Sequence, residues 1–211
     1  MKKRSQDSYG FMSEQTLKNV IRKTMIHAEG LISYAYQGGE PTLRGLTFFE
    51  KAVEYQRHYN KHGIRVNNAL QTNGYLLDDA WCKFFKENQF LIGLSIDGTK
   101  QLHDMYRHDK NGNPTFDRIK SAADLMDQYG VDYNILTVVT QNTAYHATEI
   151  YNYYKRQGWK YQQYIACLDP LGEIRGKSSF ALKPEQYGRF LVELFNLWYE
   201  DWKNGEHPYI R

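Results

Sequence analysis

Cysteine is nearly missing from this chain of 211 residues, with only Cys82 and Cys167, far apart and in no C-x-x-C pair. That excludes a disulfide framework and a structural zinc site built from thiolates, and it suits a reducing compartment, so a cytoplasmic protein is expected. Long apolar runs are missing too. Nothing approaches the roughly 20 apolar residues of a membrane span. The first twenty residues have no continuous apolar core of the secretory kind. Charge of one sign is scarce: 27 basic minus 24 acidic residues leaves +3, too little to argue for nucleic acid. The one basic cluster, Lys2-Lys3-Arg4, reads as a solvated end.

Several chemical signatures are absent as well. There is no G-x-G-x-x-G and no G-x-S-x-G. His58 and His62 have helical spacing but lack the neighbouring Glu of a zinc protease. Gly172 to Ser178 reads G-x-x-x-G-K-S, one residue short of a phosphate-binding loop and placed after the last strand. His103, Asp104 and His108 share a polar stretch that reads as loop before it reads as a metal site.

What is present is an ordinary globular composition, 41% hydrophobic, long enough for one domain with a full core. The 18 tyrosines read as core and half-buried helix faces. Apolar residues at helical period over 12–28, with Ser13 as cap, predict a first helix. A strand at 32–37 follows, then a helix from Thr47 to about Tyr59. Thr47 and Glu50 have capping-box spacing there. Strands are expected at 65–72, 90–96, 133–139 and 161–167. Helices are expected from Asp78, from Phe116, over 144–157 and from Pro184, with a long polar loop at 99–115. The last helix should present Phe190, Leu191, Leu194, Phe195, Trp198 and Trp202 on one broad apolar face and end at His207-Pro208.

One helix followed by five β-then-α units implies parallel strands with right-handed crossovers. An open doubly wound sheet and a piece of a (β/α) barrel both satisfy that pattern. In either, ligands gather at the carboxyl ends of the strands. Those ends here read Gln37-Gly38-Gly39-Glu40, Gln71-Thr72-Asn73, Ser95-Ile96-Asp97 and Leu168-Asp169. Gly38 and Gly39 let backbone approach a ligand closely. Exposed carbonyls with Glu40 suit an ammonium group, and Ser95 with Arg107 suit a carboxylate. The pair of sites fits a zwitterion such as an amino acid.

The ordered segments YQGGEPTL, LQTNG, LSIDG followed by LHDMYR, CLDPL and the final LWYEDWKNG resemble the radical S-adenosylmethionine (SAM) enzymes, most closely their anaerobic sulfatase-maturating branch, across essentially the whole chain. The resemblance implies a partial (β/α)6 TIM-like barrel that binds S-adenosylmethionine and a [4Fe–4S] cluster. It implies that Gly38, Gly39 and Glu40 handle the methionyl amine, Ser95 and Arg107 face its carboxylate, and Leu168 lies by the adenosine. Gln37 would line the peptide-substrate side, with Asn73 and Asp97 on the same rim. The intact enzyme would cleave S-adenosylmethionine reductively to a 5′-deoxyadenosyl radical and oxidise a sulfatase Cys or Ser to Cα-formylglycine.

The chain also departs from that family. Its C-x-x-x-C-x-x-C cluster motif is absent, and SYGFM from Ser8 resembles the stretch just downstream of it. Residues 1–211 are therefore expected to be a truncated radical SAM core domain, lacking the first strand, the cluster loop and the C-terminal domain of auxiliary clusters. Cys82 and Cys167 cannot replace a triad of convergent thiolates. The isolated chain is expected to be inactive, with its first strand leaving an edge open to self-association unless the N-terminal helix packs over it. Two alternatives stay open: a radical SAM relative that modifies another peptide, and a non-catalytic interaction protein derived from a decayed barrel.

Overall fold

The computed structural model describes residues 10–169, 176 and 178–211. Lys2-Lys3-Arg4, the start of SYGFM and most of the G-x-x-x-G-K-S loop lie outside the described residues.

Seven helices and six strands alternate in these residues: α1 (Glu14–Ile26), β1 (Leu31–Tyr36), α2 (Leu46–Tyr59), β2 (Arg65–Thr72), α3 (Asp79–Glu87), β3 (Phe90–Ser95), α4 (Lys100–His103), α5 (Phe116–Tyr129), β4 (Asp132–Val139), α6 (Ala147–Arg156), β5 (Tyr161–Ala166), α7 (Pro184–Lys203) and β6 (Tyr209–Ile210). The strands lie in the order β1-β2-β3-β4-β5-β6, and every neighbouring pair is parallel. A doubly wound sheet reverses its direction of growth at a switch point. This one never does, so successive right-handed crossovers place the helices on a single face. The result is the wall of a (β/α) barrel.

Alternation along the strands separates two faces. Tyr34 of β1 bonds Thr24 of α1 at 2.8 Å, and Asn68 of β2 bonds Gln56 of α2 at 2.8 Å. Thr137 of β4 meets Tyr154 of α6 at 2.6 Å, and Tyr164 of β5 packs on Phe190 of α7. These residues mark the helix side. Their neighbours in sequence point to the concave side, the lumen. The core lies wholly on the helix side, where Leu70, Phe85, Phe90, Ile92, Leu94, Ile135 and Phe190 are at most 1% exposed.

Local signals set most boundaries. The Ser13 hydroxyl accepts from the Thr16 N–H at 3.1 Å, and Asp78 accepts from the Trp81 N–H at 3.1 Å, each capping the helix that follows. Pro184 opens α7, where its missing N–H costs nothing.

The structure also corrects four expectations. Helix α2 begins at Leu46, capped by Gly45, so Thr47 is already inside it. The stretch 99–115 is not all loop: it holds α4, fully buried His103 and a bridge between His108 and Pro114. On α7 only Phe190 and Leu194 are buried, while Phe195 is 56% exposed and Trp202 50%. Finally, the chain does not end with that helix, because Tyr209–Ile210 returns to pair with β5. A two-residue strand carries no period for sequence reading to detect. Among the described residues no helix is long and apolar enough to cross a membrane.

Candidate functional site

The carboxyl tips of β1 and β2 are tied together through Glu40. Gly38 and Gly39 adopt φ of 105° and 54°, two successive left-handed positions that glycine takes without strain. They turn the chain so that the Glu40 side chain reaches across β2. Its Oε1 accepts from the Thr42 N–H (3.0 Å), the Thr42 hydroxyl (2.6 Å) and the Thr72 hydroxyl (2.8 Å). Among the described residues its Oε2 accepts only from the Asn73 N–H, at 2.7 Å. Glu40 is thus a clamp between two strand tips, with accepting capacity left mainly on Oε2. Sequence reasoning placed Thr72 on the rim without a role and missed Thr42, although a Thr two residues beyond Glu40 is a local capping signal.

A second clamp sits at the end of β3. The Asp97 carboxylate accepts from Nε and Nη2 of Arg107, and its Oδ1 also accepts from the Val138 N–H at 2.8 Å. Asp97 is buried. Its N–H donates to Nδ1 of His103 at 3.2 Å, which makes Nε2 of a neutral ring the donor to Thr115 Oγ1, also at 3.2 Å. Thr115 in turn donates to the Arg107 carbonyl at 3.1 Å. Burial holds the His103 pKa down to about 4, against the opposing pull of Asp97, so the ring stays neutral. His103 is a pin for this loop, and its neighbour Asp104 accepts from the Thr115 and Phe116 N–H groups at the start of α5. Among the described residues no three His, Cys, Asp or Glu side chains cluster as a metal site.

Arg107, Glu40 and Asn73 line one cavity of about 650 Å³, with Leu43, Tyr75 and Tyr106 around them. Gln37, Gly38, Gly39 and again Glu40 line a neighbouring cavity of about 820 Å³. Ser95 lines neither. It follows Leu94, which pairs with Thr72, so it stands level with Asn73 on the lumen face, and its hydroxyl has no partner among the described residues. Leu168 stands past the end of β5, 80% exposed. Glu40 thus joins Arg107 to Gln37, Gly38 and Gly39, while Ser95 lies beside that rim and Leu168 farther along it.

Residues 2–152 match the radical SAM superfamily. This chain belongs to that family. It is 48% identical over 208 residues to the cysteine-type anaerobic sulfatase-maturating enzyme of Clostridium perfringens, a match covering 99% of this chain and 56% of the relative. The serine-type anaerobic sulfatase-maturating enzyme of Klebsiella aerogenes is 39% identical over 167 residues, covering 79% and 41% respectively. The structure of native anSMEcpe with bound AdoMet and Kp18Cys peptide superposes with a TM-score of 0.96 at 48% identity, over 99% of this chain and 57% of that one. This radical SAM chain therefore spans about half the length of the relatives it matches.

The two cofactors of such enzymes fit these residues unequally. A [4Fe–4S] cluster needs convergent thiolates, and the chain has two cysteines on separate elements. Cys82 is buried in α3, where burial pushes its thiol up to about 11. Those residues do not fit a cluster. The methionyl end of S-adenosylmethionine fits better. Oε2 of Glu40, the unpartnered Ser95 hydroxyl and Nη1 of Arg107 offer one acceptor set and one donor set.

Proposed function

We propose that this chain is the barrel portion of a cytoplasmic radical SAM oxidoreductase that converts a Cys or Ser of a sulfatase peptide to Cα-formylglycine. The observation that carries the proposal is 48% identity to the Clostridium perfringens enzyme, sustained over 208 residues. In this reading Gly38, Gly39 and Glu40 hold the methionyl amine. Ser95 and Arg107 hold the carboxylate, with Asp97 orienting the guanidinium. Asn73 serves by fixing Glu40, Leu168 flanks the adenosine and Gln37 faces the peptide. Bound S-adenosylmethionine would supply the one-electron chemistry, while the chain's own residues bind, orient and shield.

Replacing the matched 208 residues of the Clostridium perfringens enzyme with those of this chain tests the reading, provided the recipient's cluster-binding cysteines are retained. The hybrid should convert a Cys-containing sulfatase peptide to an aldehyde that hydrazide reagents trap. A folded hybrid that binds S-adenosylmethionine yet yields no aldehyde overturns the proposal. The isolated chain, reconstituted anaerobically with iron and sulfide, should yield neither a stoichiometric cluster signal nor 5′-deoxyadenosine.

A further inference from the structure

The turn after β3 is held from behind. It reads Ile96-Asp97-Gly98-Thr99 and carries the carboxylate that occupies Arg107. Tyr154 approaches it from α6, on the helix side, with no exposed surface. Its hydroxyl donates to the Ile96 carbonyl at 2.7 Å and accepts from the Gly98 N–H at 2.8 Å. Those two groups belong to the peptide units on either side of Asp97. One phenol therefore fixes both planes that flank a single residue.

The neighbours reinforce that grip. Thr137 of β4, also fully buried, places its hydroxyl 2.9 Å from the Ile96 carbonyl and 2.6 Å from the Tyr154 oxygen. The same peptide unit is held at its other end, where the Asp97 N–H donates to His103 Nδ1. Gly98 sits at φ 83°, and a Cβ there would come within 2.9 Å of Cγ1 of Ile150, so glycine lets the turn lie against α6. Burial pushes the Tyr154 hydroxyl above its usual range, so it stays protonated and able to donate.

This matters because a two-point contact between carboxylate and guanidinium is directional. Fixing both flanking peptide planes fixes the Cα–Cβ bond of Asp97, and with it the direction in which the carboxylate meets Arg107. Tyr154 bonds neither of those two side chains. It works only through the turn.

We propose that Tyr154 is a positioning residue for the carboxylate end of the S-adenosylmethionine site, aiming Arg107 by way of the Asp97 turn. The proposal rests on the reading above in which Arg107 faces that carboxylate. It adds that a group on the far side of the sheet sets the guanidinium's direction.

Helix α6 supplies its own control. Tyr151 is buried too, but its hydroxyl donates to Asp201 of α7 at 2.7 Å, away from the turn. Tyr154→Phe and Tyr151→Phe each remove one such hydroxyl from the full chain. Hydrogen exchange of the Arg107 Nε–H, followed by heteronuclear NMR without cofactor, should quicken about tenfold in Tyr154→Phe and stay within about twofold of wild type in Tyr151→Phe. In equilibrium dialysis Tyr154→Phe should weaken S-adenosylmethionine binding by about tenfold and leave its decarboxylated analogue within about twofold of wild type. Unchanged exchange in Tyr154→Phe overturns the proposal. So does equal quickening in both variants, or an equal loss for cofactor and analogue, since each marks a general effect on the fold. Should Tyr154→Phe fail to fold, Thr137→Val removes the other hydroxyl at the Ile96 carbonyl and must quicken Arg107 exchange; no change there also overturns it. A wild-type chain that binds no S-adenosylmethionine would count against the function proposed above, while the exchange comparison still decides the part played by Tyr154.

Discussion

The helix side and the lumen side of one sheet follow different rules. The helix side is dense and satisfied: Phe85, Phe90, Ile92 and Leu94 exclude water, and even the Tyr154 hydroxyl, fully enclosed, bonds the Ile96 carbonyl, the Gly98 N–H and the Thr137 hydroxyl. The lumen side is sparse and open: Ser95, Gln71, Asn134 and Gln163 have no side-chain partner among the described residues, and their polar atoms stay accessible to solvent. Both are made by the same strands, one residue apart. A parallel sheet can thus carry stability and recognition on alternate positions with little interference between them.

The strongest way to break that comparison is to cut the helix side. Phe90→Ala removes a ring that packs on Tyr36, Phe84 and Phe85 and should cost about 3–5 kcal/mol in urea unfolding. The next effect is set by pH. The His103 pKa falls from 6.5 in the unfolded chain to about 4 in the fold. Its contribution is complete above pH 6.5 and is lost as pH falls towards 4, because the unfolded state takes up the proton first. The loss should be about 3 kcal/mol at roughly 1.4 kcal/mol per unit, and His103→Gln should flatten the slope of urea midpoint against pH in that window.

Glu40→Gln comes third. The amide keeps the shape but removes the charge that gathers the Thr42, Thr72 and Asn73 donors, and it turns an NH2 towards one of them. A cost of about 1.5–3 kcal/mol is expected in urea, with S-adenosylmethionine binding by dialysis weakened at least tenfold. The smallest effect is on the lumen side, where Gln71→Leu should stay within about 0.5 kcal/mol of wild type in urea unfolding. A lumen variant as costly as Phe90→Ala would erase the distinction between the two faces.

Much of this was legible in the residues. The strand at 65–72 and the helices opening at Phe116 and Pro184 follow from period, cap and proline geometry, and they coincide with the observed elements. The choice of barrel over doubly wound sheet did not follow from period, since both share the same β-then-α rhythm. Resemblance of the strand-tip segments supplied it, and strand order decides it. The tips Gln37 to Glu40, Asn73, Ser95 and Asp97 could be named from where apolar runs stop. Their couplings could not. Nothing in a sequence tells that Asp97 occupies two nitrogens of Arg107, that Glu40 is held by Thr72, or that His103 is buried and neutral rather than exposed and metal-ready. Those depend on long-range contacts. The lumen amides escaped notice for a related reason: Asn134 and Gln163 sit in strands read only for their apolar half.

The two sulfurs of this chain give it an unplanned use. Cys82 is enclosed by the packed side and its thiol is pushed up to about 11, so ordinary alkylating labels will pass it by. Cys167 extends the β5 ladder through its N–H to the Val139 carbonyl at 2.9 Å and, by alternation, faces the lumen. Partial burial, with Asp97 and Asp169 nearby, pushes its thiol up as well, so a dye would attach there only slowly, but once in place it would act as a built-in lamp at the doorway, dimming or brightening as visitors enter.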